Sequence, residues 1–356
     1  MGTETGTAQT APVLVTVYGA YGHTGRFVVA ELRDRGFVPI LAGRDADKLH
    51  AMAASTPGAE ARPASIDDPA SLDRALAGAA AVINCAGPFA LTAAPVIEAA
   101  LRAGIPYVDV AAEIEANADT FTHFADRARE AGAVIVPAMA FYGGLGDLLA
   151  TAAMGDWTTA DEATVAYGLS GWHPTPGTRT AGEVSRERRS GRRVRYTNGR
   201  LEYHDTEPTL LKWPFPAPMG PREVIGDFTM ADVVTIPSHL SIPEVRTHMT
   251  TEAAGDLSSP DTPAPTATDE TGRSDQTFLV EAVVRSGGDE RRAVATGQDI
   301  YAVTAPLAVE ATDRILTGRT HATGVASAGQ IFDAADFLGA LEPHIIFEGL
   351  RPGPES

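Results

Sequence analysis

Three glycines spaced by three, Gly19, Gly22 and Gly25, separate the β-branched run Val13–Tyr18 from the amphipathic stretch Thr24–Arg35. Strand, glycine loop and helix in that order form the arrangement that cradles a pyrophosphate. Gly19 permits the tight turn, Gly22 lets the backbone approach the phosphates, and Gly25 lets the helix lie close to the strand. Tyr21, His23 and Thr24 complete the loop, and the helix start offers unpaired N–H groups and the positive end of its dipole. A glycine-rich turn without a ligand is the plain alternative, and the strand-to-helix context argues against it. The spacing is Gly-x-x-Gly-x-x-Gly, not the Gly-x-Gly-x-x-Gly of many NAD dehydrogenases.

The end of the second strand bears on which dinucleotide is bound. The run Val38–Ala42 leads into Gly43-Arg44-Asp45. A cation there can pair with a 2′-phosphate and stack on adenine, whereas an acid would bond a free 2′-hydroxyl. Arg44 comes first and has Lys48 one turn away, which favours NADP(H) over NAD. Asp45 reads as the cap of a helix over Ala46–Ala54, or as an NAD-type acid displaced by one position.

Hydride transfer also needs a proton donor or an orienting group near the reacting atom. Tyr142, after a strand end where the chain crosses between domains, is the first candidate donor; its alternative role is to cover the seam. Asp109 and Glu113 follow another strand end and can orient a carboxamide or a substrate amine, or cap the next helix. Asp147 stands in the first turn of a helix, where the dipole alone accounts for it. Thr178 is expected to cap a helix and present N–H groups to an anionic substrate, with Arg179 strengthening that site. The basic run Arg186 to Arg195 reads as mostly a solvated face. His173, His239 and His248 are too scattered to argue for a metal, and none is expected. The lone Cys85 reads as packing.

The elements that must position these residues follow from periodicity. Strands are predicted over Val13–Tyr18, Phe37–Ala42, Ala80–Asn84, Tyr107–Val110 and Ala133–Pro137. Helical patterns at Thr24–Arg35, Leu72–Ala77, Ala93–Ala103 and Ala118–Ala131 alternate with them. Near-continuous apolar strands joined by helices predict an α/β fold, a doubly wound parallel-sheet Rossmann domain. After a helix starting near Gly146 the texture changes. Strands are predicted at Ala163–Gly171, Val233–Ile236, Val245–Glu252, Gln276–Arg285 and Arg292–Val303, the last two joined by Ser286-Gly287-Gly288-Asp289 as a hairpin. This predicts a second α+β domain of mostly antiparallel sheet. The Pro-, Thr- and Asp-rich stretch Ala253–Asp275 reads as a surface loop. The domains expected are a flexible tail 1–12, a dinucleotide-binding domain 13–145 joined by C-terminal helices within 306–350, and a substrate or dimerisation domain 146–305 with its loop at 253–275. The helices are Ala308–Leu316 and Ala334–Leu341.

Composition limits the partners. Hydrophobic residues are 44% of the 356-residue chain and charged residues 21%, a globular profile. A net charge of −18 repels nucleic acid and anionic membranes. No apolar run of about 18 residues suggests a membrane span. With one cysteine no intramolecular disulfide is possible, which suits a cytoplasmic setting. Met1–Pro12 has no basic region or apolar core of a signal peptide.

The segments Tyr18–Arg26, Leu41–Arg44, Val82–Phe89, Tyr107–Asp109 with Glu113, Tyr301–Ala305 and Gly324–Leu341 resemble the saccharopine dehydrogenase-like reductases, a group that includes trans-acting enoyl reductases. The resemblance implies that the turn Asn84–Phe89, with Ala86, Gly87 and Pro88 between, passes over the nicotinamide. Its place at the end of a central strand agrees, since open α/β sheets bind ligands there. Phe89 is then a wall for the ring. Two departures stand out. Ser65 occupies the place where the family often has an acid near the adenine, with Asp67 and Asp68 beyond; Asp68 before Pro69 reads as a helix cap. Family members often carry Gly-Phe-Asp-Ser-x-Pro-Ser-Asp at the domain crossing, where this chain has Ala140-Phe141-Tyr142-Gly143-Gly144-Leu145-Gly146-Asp147. The leading expectation is an NADPH-dependent reductase of a C=C or C=N bond in a small or carrier-bound metabolite. The alternatives are a saccharopine-type secondary-amine dehydrogenase and a non-catalytic NADP(H)-binding redox sensor. A homodimer is implied by the resemblance alone.

Overall fold

The structure, a computed structural model, describes residues 11–352. Most of the tail expected over 1–12 therefore lies outside the described residues. The first domain alternates strand and helix: β1 (Leu14–Tyr18), α1 (His23–Asp34), β2 (Val38–Gly43), α2 (Ala46–Ala54), β3 (Glu60–Pro63), α3 (Pro69–Leu76), β4 (Ala81–Asn84), α4 (Phe89–Ala103), β5 (Tyr107–Asp109), α5 (Ile114–Glu130) and β6 (Val134–Val136). The second domain adds α6 (Gly146–Met154), β7 (Glu162–Leu169), α7 (Pro176–Arg188), β8 (Arg193–Thr197), β9 (Arg200–His204), β10 (Leu210–Trp213), β11 (Arg222–Ile225), α8 (Asp232–Thr235), β12 (Glu244–Thr250), α9 (Thr251–Ser258), β13 (Thr277–Ser286) and β14 (Asp289–Gln298). The chain then runs through α10 (Thr304–Leu316), β15 (Gly324–Val325), α11 (Ala328–Ile331), α12 (Ala334–Gly339) and β16 (Ile345–Pro352).

The first sheet is parallel throughout, in the order β15-β6-β5-β4-β1-β2-β3. The chain reverses its winding between β1 and β4, so the loops after these strands face one another over a crevice at their carboxyl ends. Val15, Val17 and Ile83 of the two central strands have no exposed surface, as a sheet covered on both faces requires. The second sheet runs β10-β11-β12-β7-β13-β14-β16, with the β8–β9 hairpin paired to β12. Only β7 and β12 pair in parallel; the other neighbours are antiparallel. The β13–β14 hairpin closes through Gly287 and Gly288, both at positive φ, the conformation its two-residue turn needs. Among the described residues no helix is long and apolar enough to cross a membrane.

Several expectations change. Val233–Ile236 is helical, not a strand: the run is buried all round, and a short apolar run carries no periodicity to decide its type. The loop expected over 253–275 starts inside α9, with Ala253 and Ala254 buried against β11 and β12. β14 stops at Gln298 because Asp299 turns the chain, its carboxylate accepting the N–H groups of Tyr301, Ala302 and Ser274. β3, β8–β11, β15 and β16 went unforeseen. α10 packs against α1 and β15 extends the first sheet, yet β16 leaves the 306–350 segment to edge the second sheet.

Candidate cofactor and active site

A cavity of about 910 Å³ opens at the carboxyl ends of β1, β2, β4 and β5 and continues beneath α7 and the loop after β11. Its first section is the glycine loop. Gly19 has φ +89°, and a Cβ there would lie 2.8 Å from the Ala86 nitrogen, so the loops after β1 and β4 touch through a missing side chain. A Cβ on Gly25 would fall 2.2 Å from the Gly19 carbonyl oxygen. Gly22 caps α1 with no side-chain bond to the helix start, and among the described residues the N–H groups of His23 and Thr24 have no acceptor. His23 stands edge-on to Phe27 and Tyr301 at 5.4 and 5.2 Å, with its Nε2 buried and unpartnered. Burial holds its pKa below the usual histidine range. A cradle that a Cβ would fill, open helix N–H groups and an orphaned imidazole nitrogen together fit a dinucleotide pyrophosphate.

At the adenosine end the Tyr21 ring lies over Gly43, and Lys48 Nζ sits 5.5 Å from the ring centre. Asp45 caps α2, accepting the Lys48 N–H at 3.1 Å, and pairs with Lys48 Nζ at 3.0 Å. These bonds commit its carboxylate to the helix. Arg44 stays exposed on the cavity rim with no ion pair among the described residues. Ser65 lines the cavity and its hydroxyl accepts the Asp67 N–H, while Asp68 caps α3 through the Ser71 N–H. Arg44→Ala is expected to weaken NADPH binding by roughly 10- to 100-fold, the worth of a charge-assisted contact, and to leave NADH binding near its parent value. Fluorescence titration with both cofactors checks this; equal losses would remove the 2′-phosphate role.

At the opposite end Cys85, Ala86, Gly87 and Phe89 line the cavity. Asn84 is turned inward, away from the cavity. Its Oδ1 accepts the Ala86 N–H at 3.0 Å and its amide nitrogen donates to Thr92 Oγ1 and Tyr107 OH. Asn84 therefore shapes the loop and is not a direct cofactor contact. Pro88 serves as the N-cap of α4, also outside the lining. Burial pushes the Cys85 thiol far above its usual range, consistent with packing.

The three catalytic candidates separate. Asp109 is 1% exposed and outside the cavity; its oxygens accept from Tyr107 OH and from the N–H groups of Ala111 and Ala138. It clamps the loops after β5 and β6, with its pKa raised by burial to about 6. Glu113 does line the cavity, and its Oε1 accepts the Phe89 N–H at 2.9 Å. Burial raises its pKa to about 7, and Asp109 and Glu115 add to the rise. Tyr142 also lines the cavity, its ring packed among Phe141, Tyr167 and Trp172 and its hydroxyl buried without a hydrogen-bond partner among the described residues. Burial pushes that phenol well above its usual range. Asp147 is a fully buried anchor: it meets His239 Nε2 at 2.7 Å and accepts the Gly329 N–H, so more than the helix dipole accounts for it.

The substrate-side expectations shift along one helix. Thr175, not Thr178, caps α7, accepting the Thr178 N–H at 3.1 Å. Arg179 is spent on the carbonyls of Ser259 and Thr262, away from the cavity. Arg189 and Arg193, from the run read as solvated, line the cavity instead. Tyr301, which entered the sequence reading only as part of a segment resembling the family, with no role assigned, also lines the cavity. Its hydroxyl accepts from Trp172 Nε1 and the Thr175 N–H, and shares a bond with Thr178 Oγ1 at 3.0 Å, tying the start of α7 to the β14–α10 turn.

Comparison with known proteins follows this division. Residues 15–136 match the family described as saccharopine dehydrogenase NADP binding domain. A probable mitochondrial saccharopine dehydrogenase-like oxidoreductase of Arabidopsis thaliana is 31% identical over 142 residues, 36% of this chain and 31% of that protein. The Bos taurus saccharopine dehydrogenase-like oxidoreductase is 28% identical over 151 residues, 37% of this chain and 35% of that protein. The chain matches these relatives over about a third of their length. The fold extends further: apo saccharopine dehydrogenase (L-Glu forming) from Saccharomyces cerevisiae superposes with a TM-score of 0.63 over 96% of this chain and 100% of its own, at 12% identity. The first domain of this chain is thus similar over residues 15–136 to the saccharopine dehydrogenase NADP binding domain, and the cofactor it binds is NADP(H).

Proposed function

We propose that this protein is an NADPH-dependent reductase of a C=C or C=N bond in a small or carrier-bound metabolite. The observation that carries this is the single cavity that joins the dinucleotide loop to a buried carboxyl and phenol, Glu113 and Tyr142. Bound NADPH supplies the hydride. The Ala86–Gly87 backbone and Phe89 wall the ring end, and the buried loops keep water from the reacting atoms. Tyr142, whose hydroxyl has no partner among the described residues, donates a hydrogen bond to the substrate's polar atom. Glu113, with a pKa near neutrality, provides the proton that the reduced bond requires.

A second reading, oxidation or reductive formation of an amino-acid secondary amine, gains support from Arg189 and Arg193 as carboxylate contacts. The discriminating experiment mixes the protein with NADPH and follows its near-ultraviolet absorbance with enoyl thioesters, cyclic imines, and α-keto acids plus amines. Oxidation by the first two classes supports the proposal, and oxidation only by keto acid with amine selects the second reading. Tight binding without oxidation by any class would overturn both and leave a redox sensor.

A further inference from the structure

We propose that the far end of the cavity takes an extended, largely apolar substrate ending in a single anionic group, which Arg189 and Arg193 receive. This rests on the reductase reading and names its substrate class. The channel runs along one face of α7. Thr178, Ala181 and Ser185 recur at helical spacing, lie one above another, and all face the cavity. Ala181 stands at the ring end, its Cβ 3.9 Å from where a Cβ on Gly87 would be. From there to Arg189, which caps the helix, the axis rises about 12 Å. The small side chains on this face leave the route open, and Val194, Ile225, Phe228, Met230 and Leu257 line it with apolar surface.

Charge at the end of the route is unbalanced. Arg193 donates to the carbonyls of Thr206, Gly226 and Asp227 at 3.2, 2.9 and 2.8 Å, and pairs with no carboxylate among the described residues. Arg189 donates to Ser185 Oγ at 2.7 Å and meets Glu115 at 3.5 Å. The Ser185 hydroxyl in turn donates to Glu115. Asp227 also lines the cavity, but its carboxylate lies 3.7 Å from Arg246. Two guanidinium groups thus share one carboxylate at ion-pair distance, and the Asp227 and Glu207 carboxylates act on Arg193 only from farther off, which leaves the pair short of direct counter-charge in a half-buried wall. A partly desolvated cation of this kind is stabilised by an anion that brings its own charge. The chain carries a net −18, so this is a local exception to its field. A dicarboxylate would need a second cationic contact, and the other arginines of α7, Arg179, Arg186 and Arg188, do not line the cavity.

Calorimetric titration of the NADP⁺-saturated protein with decanoate, 1-decanol and butyrate tests this without any turnover. Decanoate is expected to bind at least tenfold tighter than either of the others. Arg193→Met and Arg189→Met should each reduce decanoate affinity about tenfold while NADP⁺ affinity holds. Equal binding of decanol would overturn the anion site, and butyrate binding as tightly as decanoate would overturn the apolar channel. Should Arg193→Met fail to fold once its three carbonyls lose their donor, the ligand series on the parent protein and Arg189→Met decide the matter. Decanoate binding in a protein that oxidises NADPH with no substrate would remove the reductase reading and leave this one. Reduction of short neutral enoyl thioesters with no decanoate binding would do the reverse.

Discussion

Exchange of Glu113 for glutamine is expected to lower the rate of NADPH-dependent reduction by roughly 100- to 10,000-fold, the usual worth of a positioned acid. NADPH affinity should hold, because glutamine is nearly isosteric and its carbonyl still accepts the Phe89 N–H. A proton donor works best with a pKa near the working pH, and burial brings Glu113 to about 7. Tyr142 sits well above its usual range and Asp109 is outside the cavity, so neither serves as the source. As an acid, Glu113 is competent while protonated. The parent's turnover should therefore fall about tenfold per pH unit above neutrality, and the residual rate of the variant should not. A stability measurement gives an independent reading. The folded pKa lies above the unfolded value, so the native state holds a proton that the unfolded chain has released between about pH 4.5 and about 7. That contribution is fully present below the unfolded value and is lost as pH rises through about 7. The melting temperature of the parent should fall relative to Glu113→Gln between about pH 5.5 and about pH 8. Parallel melting curves would deny the raised pKa, and parent-like turnover would remove Glu113 as the donor.

The cofactor domain was legible because each of its signals is local. Alternating apolar runs, a glycine loop between strand and helix, and Arg44 after β2 need only neighbouring residues to be read. The catalytic side was not, because its roles depend on which donors reach a carboxylate from elsewhere. Asp109 and Glu113 both follow β5, yet Asp109 is used up by Tyr107, Ala111 and Ala138 while Glu113 keeps one face on the cavity. Spacing cannot show that difference. On α7 the face is hidden by composition, since polar and small residues surround the whole helix and no apolar stripe marks the buried side. One missed feature did carry a signal: Pro176 suits the first helical position, which places the cap at Thr175 and turns Thr178 inward. Tyr301 bonds partners more than a hundred residues earlier in the chain, a tertiary fact with no local trace.

Alanine at Gly25 should cost the protein both its cofactor and part of its stability. The added Cβ would lie 2.2 Å from the Gly19 oxygen and 2.9 Å from the Ala20 oxygen, both backbone atoms that no rotamer change can move. α1 is held from its other side. Val28 and Leu32 are fully buried, and Arg35 at its C-terminal end pairs with Glu31 and with Glu310 of α10. The helix therefore resists sliding, and the loop must yield. Gly19 has no room to do so, because its own Cβ position already borders Ala86. The strain should destabilise the fold by about 1–3 kcal/mol and lower its melting temperature by several degrees. Displacing the open N–H groups by about an ångström should cost roughly a hundredfold in NADPH affinity. Gly22→Ala separates the two effects, since its Cβ meets only the Gly19 oxygen at 3.1 Å. That variant should fold close to the parent and still lose affinity, because its methyl enters the space next to the phosphates. If Gly25→Ala kept both melting temperature and affinity, the close approach of helix to loop would not be what builds this site.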